Sequence, residues 1–193
     1  MKAGTTNGRS NSATAEQNPM LRTKLWDNPC PFSFRINYLA LCYNTALYDW
    51  IRDSFGLQRP DYVCLFSLGL SPGGTARDIS HTSGFPKNTL SRAIKRLEDL
   101  KLIYRSGEGT SGARSQALYL SETGQHLFDQ TMPIFRQQEQ RMLAGLDEAE
   151  QQILSGLMSK VVMNTGDWAG ELPDTTTFPN AIDSDILTNS ENL

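Results

Sequence analysis

The side chains best suited to specific chemistry lie between Thr75 and Gly124, in TARDISHTSGFPKNTLSRAIKRLEDLKLIYR followed by SGEGTSGARSQALYLSETG. Lys87, Asn88, Thr89, Ser91, Arg92 and Lys95 gather hydrogen-bonding groups and positive charge within a short run. Asn pairs bidentately with adenine, and Arg or Lys with guanine, at base edges exposed in the major groove of a duplex. Thr89 suits a thymine methyl or a phosphate. Arg114, in a glycine-rich stretch, suits a narrow minor groove, where negative potential concentrates. Arg77 is a phosphate candidate, and Arg105 fits either phosphate contact or a structural buttress. A solvated polar face is the ordinary alternative for such residues, and the elements around them decide between the two.

Those elements read as follows. Thr75 to Ser83 is a short helix closed by Gly84. Pro86 to Lys101 is a second helix with Leu90, Ile94, Leu97 and Leu100 as its apolar stripe. Its other face presents Asn88, Ser91, Arg92, Lys95 and Arg96. Sixteen helical residues span about 24 Å, enough to lie across a major groove. Leu102 to Arg105 and Gln116 to Leu120 read as strands around a tip rich in glycine. A helix, a turn, a basic helix and a hairpin make a winged helix-turn-helix, a device for reading double-stranded DNA. Before it, Phe32 to Phe55 is a long helix ended by Gly56, and Arg59 to Leu70 is another that begins beside Pro60. After it, Ser121 caps a helix to about Leu146, with Pro133 expected to kink or split it. A last helix runs from Asp147 to about Thr165. The fold class is therefore mainly α with a small β-hairpin wing.

Net charge is −3 over 193 residues, an odd balance for a DNA binder. Its distribution explains this: residues 166–193 carry six acids and no Lys or Arg, leaving 18 basic and 15 acidic residues before them. Local charge governs phosphate contact. Residues 1–28 and 166–193 are expected to be disordered tails, poor in residues that could offset ordering entropy. The three cysteines, Cys30, Cys42 and Cys64, form no CxxC pair and point to a reducing, cytoplasmic setting. No export signal or membrane span is visible. His81 and His126 have no metal-ligand spacing, no cofactor is implied, and no enzyme constellation is present.

The whole pattern resembles the MarR family of bacterial transcription regulators over about Phe32 to Thr165. The resemblance rests on TLSRAIKRLEDLKLIYR (Thr89 to Arg105), the wing residue Arg114 and LSETG (Leu120 to Gly124), and more weakly on GLQRPDYVCLFSL (Gly56 to Leu68). It implies a homodimer with dimerisation helices at about 32–55 and 121–165 and a DNA-binding lobe at about 59–120. It implies a pseudo-palindromic operator, and repression relieved by a small aromatic or acidic ligand. Two positions depart from the family pattern. Gly112 and Ala113 replace the acidic partner that usually holds the wing Arg, and Lys101 stands where the family prefers Gly.

For the effector, Tyr38, Tyr62 and Phe66 are expected to line a pocket and Arg35 to receive a carboxylate. The three aromatics are also ordinary core positions. Cys30, between two prolines, is the accessible thiol on which a redox-sensing alternative rests; Cys42 and Cys64 are expected to be buried. An adaptor that binds proteins and not DNA is the second alternative.

Overall fold

In this computed structural model, residues 18–106 and 116–170 are described. They fall into two compact units that part after Met142.

The first unit opens with α1 (Pro19–Trp26), which Asn18 caps by accepting a hydrogen bond from the Leu21 N–H at 3.1 Å. Residues 19–26 were expected to belong to a disordered tail. They form a helix because Leu21 is buried, Arg35 donates to the Leu25 carbonyl at 2.8 Å, and its guanidinium lies over the Trp26 ring. α2 (Pro31–Phe55) supplies Leu47 and Ile51 to the core, while Phe32, Ile36, Leu39 and Leu41 remain exposed in the single chain. α3 (Arg59–Leu70) is the central helix. Asp61, Tyr62, Cys64, Leu65 and Leu68 are all buried along it.

α4 (Ala76–Ser83) starts in a capping box with Thr75. The Asp78 N–H donates to Thr75 Oγ1, and the Thr75 N–H and O–H donate to Asp78 Oδ2. These bonds hold the Asp78 carboxyl below its usual range. The turn into α5 (Lys87–Asp99) needs a left-handed residue, and Gly84 takes φ 71° there. Ser80 Oγ donates to the Phe85 carbonyl at 3.0 Å and pins the same turn.

Leu90, Ala93, Ile94 and Leu97 bury the inner face of α5. Leu100, expected in that stripe, is 50% exposed because the helix has already ended at Asp99. The end is a Schellman arrangement: Leu102 N–H donates to the Leu97 carbonyl and Lys101 N–H to that of Glu98, both at 2.9 Å. Lys101 sits at φ 57°, the left-handed position that glycine fills without cost.

β1 (Ile103–Ser106) and β2 (Ala117–Leu120) pair antiparallel, from Ile103 opposite Leu120 to Ser106 opposite Ala117. Leu118 also exchanges hydrogen bonds with Gly73 and Gly74, which ties the hairpin to the turn after α3. The hairpin tip, 107–115, lies outside the described residues and takes Arg114 with it.

α6 (Glu122–Met142) is capped by Ser121, whose Oγ accepts from the Gly124 N–H and donates to the Lys101 carbonyl. A Cβ on Gly124 would meet the Leu102 carbonyl oxygen, so glycine is required for that close approach. Pro133 does not split α6. Leu127, Phe128 and Thr131 before it and Phe135 after it are buried and hold both halves against the core.

The second unit holds α7 (Glu148–Met163) and the short α8 (Thr165–Trp168). Asp147 and Glu150 form a capping box, as their spacing predicts. No side chain of α7 is buried among the described residues. Residues 166–168, expected in the acidic tail, continue the helix of α8; the rest of that tail, from 171, lies outside the described residues.

Candidate nucleic-acid interface

Helix α5 separates its two faces cleanly. With Leu90, Ala93, Ile94 and Leu97 inward, Lys87, Asn88, Ser91, Arg92 and Lys95 are all exposed and Thr89 is half-buried. Asn88, Arg92 and Lys95 follow one another at spacings of four and three, so they form one row along the helix. Arg77 is exposed on α4, as is His81.

Two other cations are engaged elsewhere. Arg96, expected on the presented face, donates to the Gly56 carbonyl at 2.7 Å and lies 3.5 Å from Asp61. Asp61 is itself buried and accepts from the Gln58 N–H at 2.8 Å, so Arg96 fastens α5 to the start of α3. Arg105 grips Glu98 through two contacts, 2.6 and 3.4 Å, and braces β1 against α5. Both are positioning cations, and Lys87, Arg92, Lys95 and Arg77 form no ion pair with a described residue. Among the described residues no group of His, Cys, Asp and Glu is placed to hold a metal, and no helix is long and apolar enough to cross a membrane.

The sequence profile of the MarR family matches residues 55–114, the span from the end of α2 through α5 and β1 to the hairpin tip. The winged-helix segment is of the MarR family. The uncharacterized HTH-type transcriptional regulator YwaE of Bacillus subtilis (strain 168) is 28% identical over 114 residues, 59% of this chain and 66% of its own length. The chain thus spans just under two thirds of that relative. The HTH-type transcriptional repressor Rv2887 of Mycobacterium tuberculosis is 26% identical over 106 residues, 55% of this chain and 76% of its own length. Its crystal structure with salicylic acid superposes at a TM-score of 0.57, covering 70% of this chain and 98% of that one at 21% identity, and it has also been crystallised with DNA. The transcriptional regulator SlyA superposes at a TM-score of 0.61 and 26% identity, covering 70% of this chain and 94% of that one. The fold is therefore the winged helix that the hairpin and basic helix implied.

The four residues expected to form the effector pocket do not converge. Tyr62 is fully buried, stacks on Phe135 with ring centroids 5.1 Å apart, and shares a 2.6 Å hydrogen bond with Thr131 Oγ1. Thr131 has one hydroxyl proton, which it donates to the Leu127 or Phe128 carbonyl, so the Tyr62 O–H is the donor in the shared bond. Burial pushes the Tyr62 phenol up to about 12. Phe66 stands beside it, with ring centroids 6.4 Å apart. Arg35 lies thirteen residues before Tyr48, the α2 residue that meets Tyr62, which is about 20 Å along the helix. It is occupied by Leu25 and Trp26. Tyr38 stacks on Phe34, and the neighbouring Cys42 thiol raises its phenol.

Sequence reasoning missed the cation that does face these rings. The Arg59 guanidinium lies 5.1 Å over Tyr48 and 5.8 Å over Phe85. It opens a cleft of about 530 Å³ whose walls include Phe66, Asp78 and Ile79. Its only sequence signal was a lone Arg before Pro60 at a helix start.

The thiols also sort differently from expectation. Cys64 is buried, and desolvation pushes it up to about 12. Cys42 is exposed along with Cys30, because it falls on the uncovered side of α2.

Proposed function

We infer that this chain is a dimeric, sequence-specific DNA-binding transcription regulator that represses its targets and is released by a small aromatic acid. One observation carries the reading: the exposed row Asn88, Arg92 and Lys95 on a helix that Arg96 and Arg105 clamp to its supports. The clamps fix the helix so that its free side chains meet base edges in one register. The DNA-bound Rv2887 structure supports the same use of the fold.

Dimerisation follows from apolar surface. Phe32, Leu39 and Leu41 on α2, and Ile153, Leu157 and Val162 on α7, are each at least half exposed in the single chain. Surface of that kind is covered by a second copy in a symmetric dimer. A two-fold dimer reads an inverted repeat with half-site centres about 10 bp apart, or a multiple of that.

Rv2887 has been crystallised with salicylic acid, and on this chain the Arg59 cleft carries the groups that suit such an acid. An aromatic acid there stacks on Tyr48 or Phe85 and pairs with Arg59. Because Asp78 and Ile79 of α4 line the same cleft, an occupant bears directly on the helix packed beside α5. Release requires the ligand to prefer the DNA-incompetent state; a tenfold preference is about 1.4 kcal/mol, within reach of one charge-assisted bond.

Selection from random duplexes tests the reading. An enriched inverted repeat is expected, bound by a particle of about twice 21.5 kDa. Salicylate should then release it, and Arg59→Gln, unlike Arg35→Gln, should abolish the release. A monomer, or a selection without an enriched repeat, contradicts the proposal.

A further inference from the structure

Helix α1 precedes the segment that the MarR profile matches and has no part in reading DNA. It is nonetheless held firmly on α2. Leu21 is buried, the Lys24 ammonium lies 5.8 Å over the Phe34 ring, and the Arg35 guanidinium lies 5.2 Å over the Trp26 ring. Those contacts leave Met20 and Trp26 at the surface, 67% and 70% exposed. Beside them, one stripe of α2 runs past the end of its own core. Phe32, Ile36, Leu39, Tyr43, Leu47 and Ile51 follow at spacings of three and four, so they share a face. Leu47 and Ile51 are buried and Tyr43 meets Phe135, yet Leu39, Ile36 and Phe32, on the preceding turns, are exposed. Arg35 lies three residues from Phe32 and four from Leu39, so it borders that stripe. Trp26, stacked on Arg35, widens the apolar surface beyond α2 itself.

We propose that α1 is a clasp of the dimer: Met20 and Trp26 pack against a second copy of this chain and extend the interface that the exposed stripe of α2 begins. The inference rests on the dimeric reading above and goes beyond it, because that reading draws only on α2 and α7. Continuity selects the occupant. Whatever covers Phe32 and Leu39 meets the adjoining Trp26 ring as well, since α1 and α2 present one surface there. Area agrees with this. Trp26 alone presents roughly 150 Å². Two-fold symmetry counts it twice, roughly 300 Å², which is close to a fifth of a standard interface of about 1,600 Å². A continuous apolar patch built from two helices is uncommon on a chain that stays single. Arg35, expected to receive an effector carboxylate, is instead the positioning residue of the clasp. It donates to the Leu25 carbonyl at 2.8 Å and stacks on Trp26, so it holds that ring in place beside the stripe.

The test uses the whole 193-residue chain with a photo-reactive p-benzoylphenylalanine in place of Met20. Irradiation should join two copies into a species of about twice 21.5 kDa. The same probe in place of Asp99, exposed at the end of α5, should not. Sedimentation equilibrium supplies the second measurement. Met20→Glu should raise the dimer dissociation constant at least about tenfold, because each apolar loss is counted twice across the two-fold axis. That variant keeps the fold, since Met20 is exposed and a carboxylate is favourable in the first turn of a helix, which circular dichroism checks. A wild type that sediments as a monomer at high micromolar concentration overturns the dimeric reading and the clasp together. A wild-type dimer in which the Met20 probe reacts only within its own chain, or in which Met20→Glu leaves the dissociation constant unmoved, overturns the clasp alone.

Discussion

Arg96 immediately follows Lys95, the last residue of the row assigned to DNA, and its substitution separates positioning from reading. Arg96→Ala removes a charged donor from the Gly56 carbonyl at 2.7 Å and an ion pair at 3.5 Å from Asp61. The Arg96 side chain is 48% exposed, so solvent screening reduces the ionic part to well under 1 kcal/mol. Asp61 is 6% exposed and keeps only the Gln58 N–H, so part of its desolvation goes uncompensated. Together these give a loss of about 1–2 kcal/mol. Urea unfolding followed by circular dichroism should show a lower midpoint at unchanged slope. Arg92→Ala, at an exposed side chain with no hydrogen bond or ion pair to a described residue, should stay within about 0.5 kcal/mol of wild type. The reasoning fails if Arg96→Ala is as stable as wild type and instead alters which base is preferred at one position.

Three further outcomes follow from the same geometry. Thr131→Val should cost about 1–3 kcal/mol by stranding the buried Tyr62 hydroxyl. Because the folded Cys64 thiol and Tyr62 phenol both titrate near 12, against about 9 and about 10 unfolded, the wild type should hold its stability below about pH 9 and lose it progressively as pH rises toward 12. Urea midpoints between pH 8 and 11 check this, and Tyr62→Phe should flatten that decline. Lys101→Gly should raise stability by about 0.5–1 kcal/mol by relieving a left-handed lysine, measured by the same unfolding curves. A thiol-reactive dye should label Cys30 and Cys42 in the native protein and Cys64 only after unfolding.

The elements around the interface were legible because their signals are local. Caps at Ser121 and Asp147, the closing Gly84 and the stripe Leu90, Ile94 and Leu97 placed helix starts and faces to within a residue or two, while α6 ends at Met142, short of the expected Leu146. What local pattern cannot give is which partner a charged group takes across forty residues, and so Arg96 was placed on the open face. Leu100 had the right spacing for the stripe but lay one residue past the end of its helix, where the Schellman turn redirects the chain. The family prefers Gly where Lys101 stands because the main chain there closes the helix through a left-handed turn. The effector set failed for a similar reason. Helical spacing reports which side chains share a face, and not that Arg35 would be about 20 Å along the helix from Tyr48 while Arg59 reached the rings. Helix α1 was missed because its order comes from the contacts of Leu21 and Trp26 with α2, while its own composition is that of a tail.

The central claim is that the free face of α5 reads bases, and its most direct measurement is the ratio of affinities for selected and random duplexes, by fluorescence anisotropy at two salt concentrations. Wild type should bind the selected inverted repeat far more tightly, with affinity for both falling steeply as salt rises. Arg92→Ala or Asn88→Ala should lose about 1–3 kcal/mol on the selected duplex and relax one base position, while Arg77→Ala weakens both duplexes equally. If Arg92→Ala and Asn88→Ala instead weaken selected and random DNA alike, the row on α5 positions the protein on phosphate and does not read sequence.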